Sequence, residues 1–147
     1  MAMAMALFVA GCGGNDENDT TAALTKAQFL KRGNAICAAG GKEIDQGFKA
    51  FNEDEHLKAN QEPTDAEAEE IADTILLPAV QKQVDELREL GAPEGDEEQV
   101  EEILDGADEA IEEGEEDPSA LVTENGGVFA EVNKMAREYG LTVCGEE

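Results

Sequence analysis

Large apolar residues and glycines recur on one seven-residue repeat near the start of the chain, and this pattern limits the available folds more than any other. Leu30, Cys37, Ile44 and Phe51 keep the repeat, and Gly33, Gly40 and Gly47 follow it three positions later. A seven-residue period keeps one face of an α-helix turned to a neighbour. Each glycine inside a helix costs about 1 kcal/mol relative to alanine, which is offset if a second helix approaches closely along the seam. The competing reading is that Gly40 and Gly41 break the helix. Thr25 with Gln28 three residues later forms a capping box and sets the start.

Three more segments carry helical periodicity. Thr64 and Glu67 make a second capping box after Pro63, and Ala68, Ile71, Ile75, Ala79, Val84 and Leu87 follow at three- and four-residue spacing. Gly91 and Pro93 stop this helix. Pro78 lies inside it and releases the carbonyl of Thr74, so a kink is expected near residues 74–78. Asp96 with Gln99 in capping-box register opens a third helix with Val100, Ile103, Leu104, Ala107 and Ile111 on one face. After Pro118 come a short turn or helical piece, a break at Asn-Gly-Gly, and a last helix burying Val128, Phe129, Val132, Met135, Ala136 and Tyr139. Gly140 and Leu141 read as its glycine cap with the associated hydrophobic contact, and an extended tail runs from Leu141 to Cys144. With aromatics at 4% and no Trp, thin helix-on-helix packing is expected: an all-α bundle of about four helices.

The chain carries 36 acidic residues against 10 Lys plus Arg, a formal charge of −26. That charge repels phosphate backbones and excludes nucleic acid as a partner. No Lys or Arg occurs between Arg88 and Lys134, so the third helix is held by its apolar stripe alone against repulsion between like charges at i and i+4. The plain reading of the run is a solvated face. Weak candidates for cation binding along it are Glu98, Glu101, Glu102, Asp105, Asp108 and Glu112, which supply the oxygen ligands that hard cations take without any EF-hand pattern.

The opening MAMAMALFVAGCGGNDENDT meets a cysteine and turns at once into small and acidic residues. Val9-Ala10-Gly11-Cys12 resembles the lipobox of bacterial lipoproteins. The resemblance implies that residues 1–11 are part of a signal peptide, that Cys12 receives a diacylglycerol, and that residues 12–24 form a flexible tether before a helical domain at 25–147. The address implied is the outer face of the cytoplasmic membrane, where acyl chains contribute about 0.8 kcal/mol per buried methylene. Lipidation of Cys12 leaves Cys37 and Cys144 to pair outside the cytoplasm, as a disulfide closing a loop of just over a hundred residues. A metal site would need more ligands than these two and His56 provide, and a redox pair is usually close in sequence.

FLKRGNAICAAGGKEI and YGLTVCG together resemble small uncharacterised secreted proteins or lipoproteins of actinobacterial type, with a first-helix Cys and a final Cys behind a Tyr-Gly-Leu turn. The resemblance implies the bridge and the helical fold and brings no activity.

Catalytic signatures are sparse. The chain has one His and one Tyr and carries no P-loop, G-x-S-x-G or H-E-x-x-H. His56 stands in a Glu-rich loop, where a solvated role is expected, and nothing separates the roles of the many carboxylates. The expected function is therefore non-enzymatic and needs no cofactor: an envelope binding or interaction module whose acidic face takes a basic protein or a cationic envelope component. The alternative is a cation- or solute-binding lipoprotein using the acidic helix.

A signal peptide needs a positive n-region and a longer apolar stretch than Met1 to Ala6 and its neighbours supply. Genomic sequence upstream of Met1 is therefore expected to continue in frame and to encode Lys or Arg with further apolar residues; a stop codon directly upstream would contradict this.

Overall fold

The structure, a computed structural model, describes residues 23–54, 63–122 and 127–146. The lipobox with Cys12, the tether up to residue 22, and His56 lie outside the described residues. The fold is all-α, as the periodicity predicts: α1 (Lys26–Asp54), α2 (Asp65–Ile71), α3 (Leu77–Leu90), α4 (Glu97–Glu116) and α5 (Ala130–Tyr139). A π-helical stretch, Ala72–Leu76, joins α2 and α3 into one long element, so four helical rods pack together. Short 3₁₀ turns at Pro118–Val122 and Gly127–Phe129 lie between α4 and α5. Among the described residues no helix is long and apolar enough to cross a membrane.

Both expected N-terminal boxes form. The Thr25 N–H donates to Gln28 Oε1 at 3.0 Å, and the Gln28 N–H donates to Thr25 Oγ1 at 3.3 Å. Thr64 and Glu67 repeat the exchange at 2.6 and 3.4 Å, and these backbone and hydroxyl donors lower the pKa of Glu67 from its ordinary value. Near Pro78 the chain widens rather than breaking. The Leu77 N–H reaches back five residues to the Ala72 carbonyl, and the Thr74 hydroxyl donates to the Glu70 carbonyl at 2.6 Å. Absorbing an extra residue in one turn is how a helix passes a ring that cannot donate.

Gly40 and Gly41 do not interrupt α1; the seam packs. A Cβ on Gly47 would stand 2.7 Å from Ile75 Cγ2, and one on Gly40 2.3 Å from Gln83 Cδ, so the bare backbone of α1 lies directly on the long second element. The register differs by one residue at its start: Phe29 is fully buried while Leu30 is half-buried against Gly140. From α1 the packing passes to α3, from α3 to α4 and from α4 to α5. The Phe29 and Tyr139 rings then meet edge-to-face at 6.1 Å and close the circuit.

Asp96 departs from the expected box. Its side chain caps nothing in α4, and the Gly95 N–H is taken by Glu97 Oε2 at 2.7 Å. Asp96 Oδ2 instead accepts the Tyr139 hydroxyl at 2.9 Å and lies 3.4 Å from Lys26 Nζ, which also sits 4.0 Å over the Tyr139 ring. This cluster ties the ends of three helices together. Burial, followed by the bond to Asp96, pushes the Tyr139 pKa well above its ordinary value.

At the end of the chain the expected glycine cap forms, and only the tail beyond it departs from expectation. Gly140 takes the left-handed conformation (φ 117°), its N–H donates to the Arg137 carbonyl at 3.2 Å and the Leu141 N–H to the Ala136 carbonyl at 2.9 Å, which is a Schellman motif. Residues 142–145 then turn rather than extend, with the Gly145 N–H on the Leu141 carbonyl. Leu141 is 1% exposed. Asn34 of α1 clamps the turn from both sides, donating to the Gly140 carbonyl at 3.2 Å and accepting the Val143 N–H at 2.8 Å. Cys37 and Cys144 are bonded across this contact, 107 residues apart in sequence, a closure worth about 4 to 5 kcal/mol in the chain-entropy account.

Gly33→Ala and Gly41→Ala should shift stability in opposite directions. A Cβ at Gly33 would fall 2.6 Å from Leu141 Cδ2 and 3.1 Å from Leu87 Cδ2, whereas one at Gly41 meets nothing within 4 Å. In urea unfolding, Gly41→Ala is expected to stabilise by up to about 1 kcal/mol. Gly33→Ala is expected to destabilise by about 1 to 3 kcal/mol, because overpacking outweighs the propensity gain.

Candidate functional site

The stripe of α4 that packs inward comprises Val100, Ile103, Leu104, Ala107, Ala110 and Ile111, all buried. Gly114 is buried with them, and most of the remaining positions of that helix are Glu or Asp. Among the described residues no charged side chain is buried, as a chain with so few cations requires.

Two of the six carboxylates singled out as cation candidates are held by a neighbouring helix. Arg88, at the end of α3, places Nη2 2.5 Å from Asp108 Oδ2 and 3.4 Å from Asp105 Oδ1. The hydrogen bond to Asp108 raises the Arg88 pKa further above its ordinary value. Glu98, Glu101, Glu102 and Glu112 stay exposed along the helix. Among the described residues no three His, Cys, Asp or Glu side chains gather as a metal-binding group.

A feature that the sequence did not disclose lies between α4 and α5. There the two helices leave a groove of about 410 Å³. Its floor is apolar: Gly106 and Ala110 from α4, Val132 and Met135 from α5, with Val128 from the preceding 3₁₀ turn. Its rim is acidic, with Glu102, Asp105, Glu109 and Glu113 on one side and Glu131 on the other. Small residues on α4 make the depression. A Cβ on Gly106 would stand 3.1 Å from Met135 Cε, so glycine lets the two helices come together at the bottom. Only the pairing of the α4 register with that of α5 reveals the groove, and no local motif encodes that pairing.

A second depression of about 460 Å³ lies beside the π-helical stretch, where Asp73, Gln81 and Glu115 surround Leu77, Pro78 and Ile111. Its polar groups are few, and Gln81 already donates to Asp85 at 3.1 Å. Of the residues able to take part in acid–base chemistry, Tyr139 is engaged with Asp96, and Ser119 donates to its neighbour Asp117 at 2.6 Å in the manner of a local turn. The groove between α4 and α5 thus gathers Glu102, Asp105, Glu109, Glu113 and Glu131 around the apolar residues at its bottom.

Comparison of the chain with protein-family models, with curated proteins and with solved structures finds no match.

Cation binding along α4 should be diffuse. Calcium chloride and sodium chloride at equal ionic strength are expected to raise the melting temperature equally, since both screen the same repulsion. A saturable, calcium-specific rise in the low micromolar range would reveal a cage.

Proposed function

We propose that this chain is a cell-envelope lipoprotein, held at the outer face of the cytoplasmic membrane by lipid on Cys12. It acts as a non-enzymatic interaction module that presents its acidic face to a positively charged envelope component. The observation that carries the anchor is Val9-Ala10-Gly11-Cys12 followed by a run of Gly, Asn, Asp, Glu and Thr. Such a run has nothing to pack and suits a tether.

Two features of the folded domain support this reading. The Cys37–Cys144 bridge accounts for two of the three cysteines and belongs to an oxidising compartment, which leaves Cys12 for the lipid. The uncompensated carboxylates of α4, carried beside a groove with an apolar floor, favour a binding role over a catalytic one. Polar groups there share one charge sign and lack the paired, differently tuned environments that acid–base chemistry needs.

Intact mass of the protein extracted gently from its own membranes tests the anchor. The expected species begins at Cys12, carries added lipid and lacks two hydrogens for the bridge. An unlipidated chain beginning at Met1 would overturn the assignment.

A further inference from the structure

We propose that the groove between α4 and α5 is the docking site for a cationic amphipathic helix of a partner protein. The inference deepens the proposed function and rests on its reading of the acidic face as an interaction surface. Three observations converge on this occupant.

Charge comes first. Glu102, Glu109 and Glu113 on α4 and Glu131 on α5 edge the groove, and their side chains make no hydrogen bond or ion pair with any described residue. Asp105 differs, being held by Arg88. Arg88 reaches Asp105 and Asp108 on this helix and no Lys or Arg occurs from residue 89 to residue 133, so these four glutamates are left for a cation from outside. The α4 carboxylates and the single Glu131 opposite them place their attraction on whatever lies between them.

The floor then distinguishes an amphipathic segment from a bare cation. Val128 and Met135 are half-buried, and Val132 is buried beneath them; a hydrated ion gains nothing from such a surface. Leucine-like side chains, and the methylene stems of Lys and Arg, gain from covering it while their charged heads reach the rim. Met135, flexible and polarizable, adapts to the shape of an incoming side chain.

Length and spacing select a helix. Between Glu102 and Glu113 α4 rises about 16 Å at 1.5 Å per residue, roughly three turns, with acids at one- and two-turn intervals. A helix laid along the trough presents basic residues on the same pitch and apolar ones at i, i+3 and i+4 between them, which is the helix-in-groove mode of recognition.

The test uses the ¹⁵N-labelled full chain and a synthetic amphipathic Leu/Lys peptide of about fourteen residues, or four turns, in about 0.15 M sodium chloride, where distant charges are screened. A peptide with the same lysines and Ser in place of Leu, and spermine, serve as comparison ligands. The expected result is a saturable set of amide shifts confined to residues 102–113 and 128–135, produced by the Leu/Lys peptide far below the concentrations at which the others act. The double variant E109Q/E113Q should weaken this binding about tenfold, while E43Q/E69Q, with the same change in net charge on other helices, should leave it unaltered. Equal binding by the serine peptide, or shifts spread over all acidic faces, would reduce the effect to general electrostatics and overturn the proposal. Spermine matching the Leu/Lys peptide at the same residues would also overturn it, in favour of a small polyamine site. Failure here is separable from failure of the envelope reading: an unlipidated chain that binds the peptide keeps the docking site and loses the anchor, and a lipidated chain that ignores the peptide does the reverse.

Discussion

A carboxylate cannot leave water without a partner, and this chain has far more carboxylates than partners. Its acids must therefore lie on the surface, and the interior has to be assembled from what remains. That remainder is mostly Ala, Val, Leu and Ile, with the rings of Phe29 and Tyr139 together at one end and Phe51 buried near the end of α1. Small side chains pack well only when helix backbones come close, and the glycines of α1 and Gly106 of α4 supply that closeness. Helix α4 shows the constraint most sharply. Repulsion along its outer faces opposes helix formation, and the buried stripe from Val100 to Ile111 keeps it formed.

Local rules were legible where local groups are the only competitors. Thr25 with Gln28 and Thr64 with Glu67 form their boxes because no distant group bids for those side chains. Asp96 carries the same signature and fails it, since Tyr139 and Lys26, both far away in sequence, offer its carboxylate a better-satisfied position. The glycine seam was legible as periodicity, but whether Gly40 and Gly41 broke the helix depended on Gln83 lying opposite. Pro78 announced a disturbance; that it took the form of a π-helical turn reflects the need to keep Ile71 and Leu77 on the buried side.

The candidate site was half legible. Acidity along residues 97–116 is plain in the sequence, and six of its carboxylates could be named as cation candidates. Two of these proved to be engaged by Arg88, a pairing that depends on how α3 ends beside α4. The groove stayed hidden because its floor joins residues from two helices whose relative rotation no spacing rule supplies. Asn34 escaped notice for the same reason: a single polar residue on an apolar face gives no signal until the turn it clamps is in place.

The way Leu141 is seated has a consequence for the order of events during synthesis. Its side chain fills the space over Gly33 and beside Leu87, so the region around Phe29 is lidded by residues made more than a hundred positions later. Contacts so distant along the chain form slowly and only once both ends are present. A nascent chain that has not yet released residues 140–144 can form individual helices but leaves the floor beneath Leu141 open to solvent. The domain thus reaches its closed state only after its final turn has emerged, and a chain shortened by a few residues at that end would behave as an unfinished one.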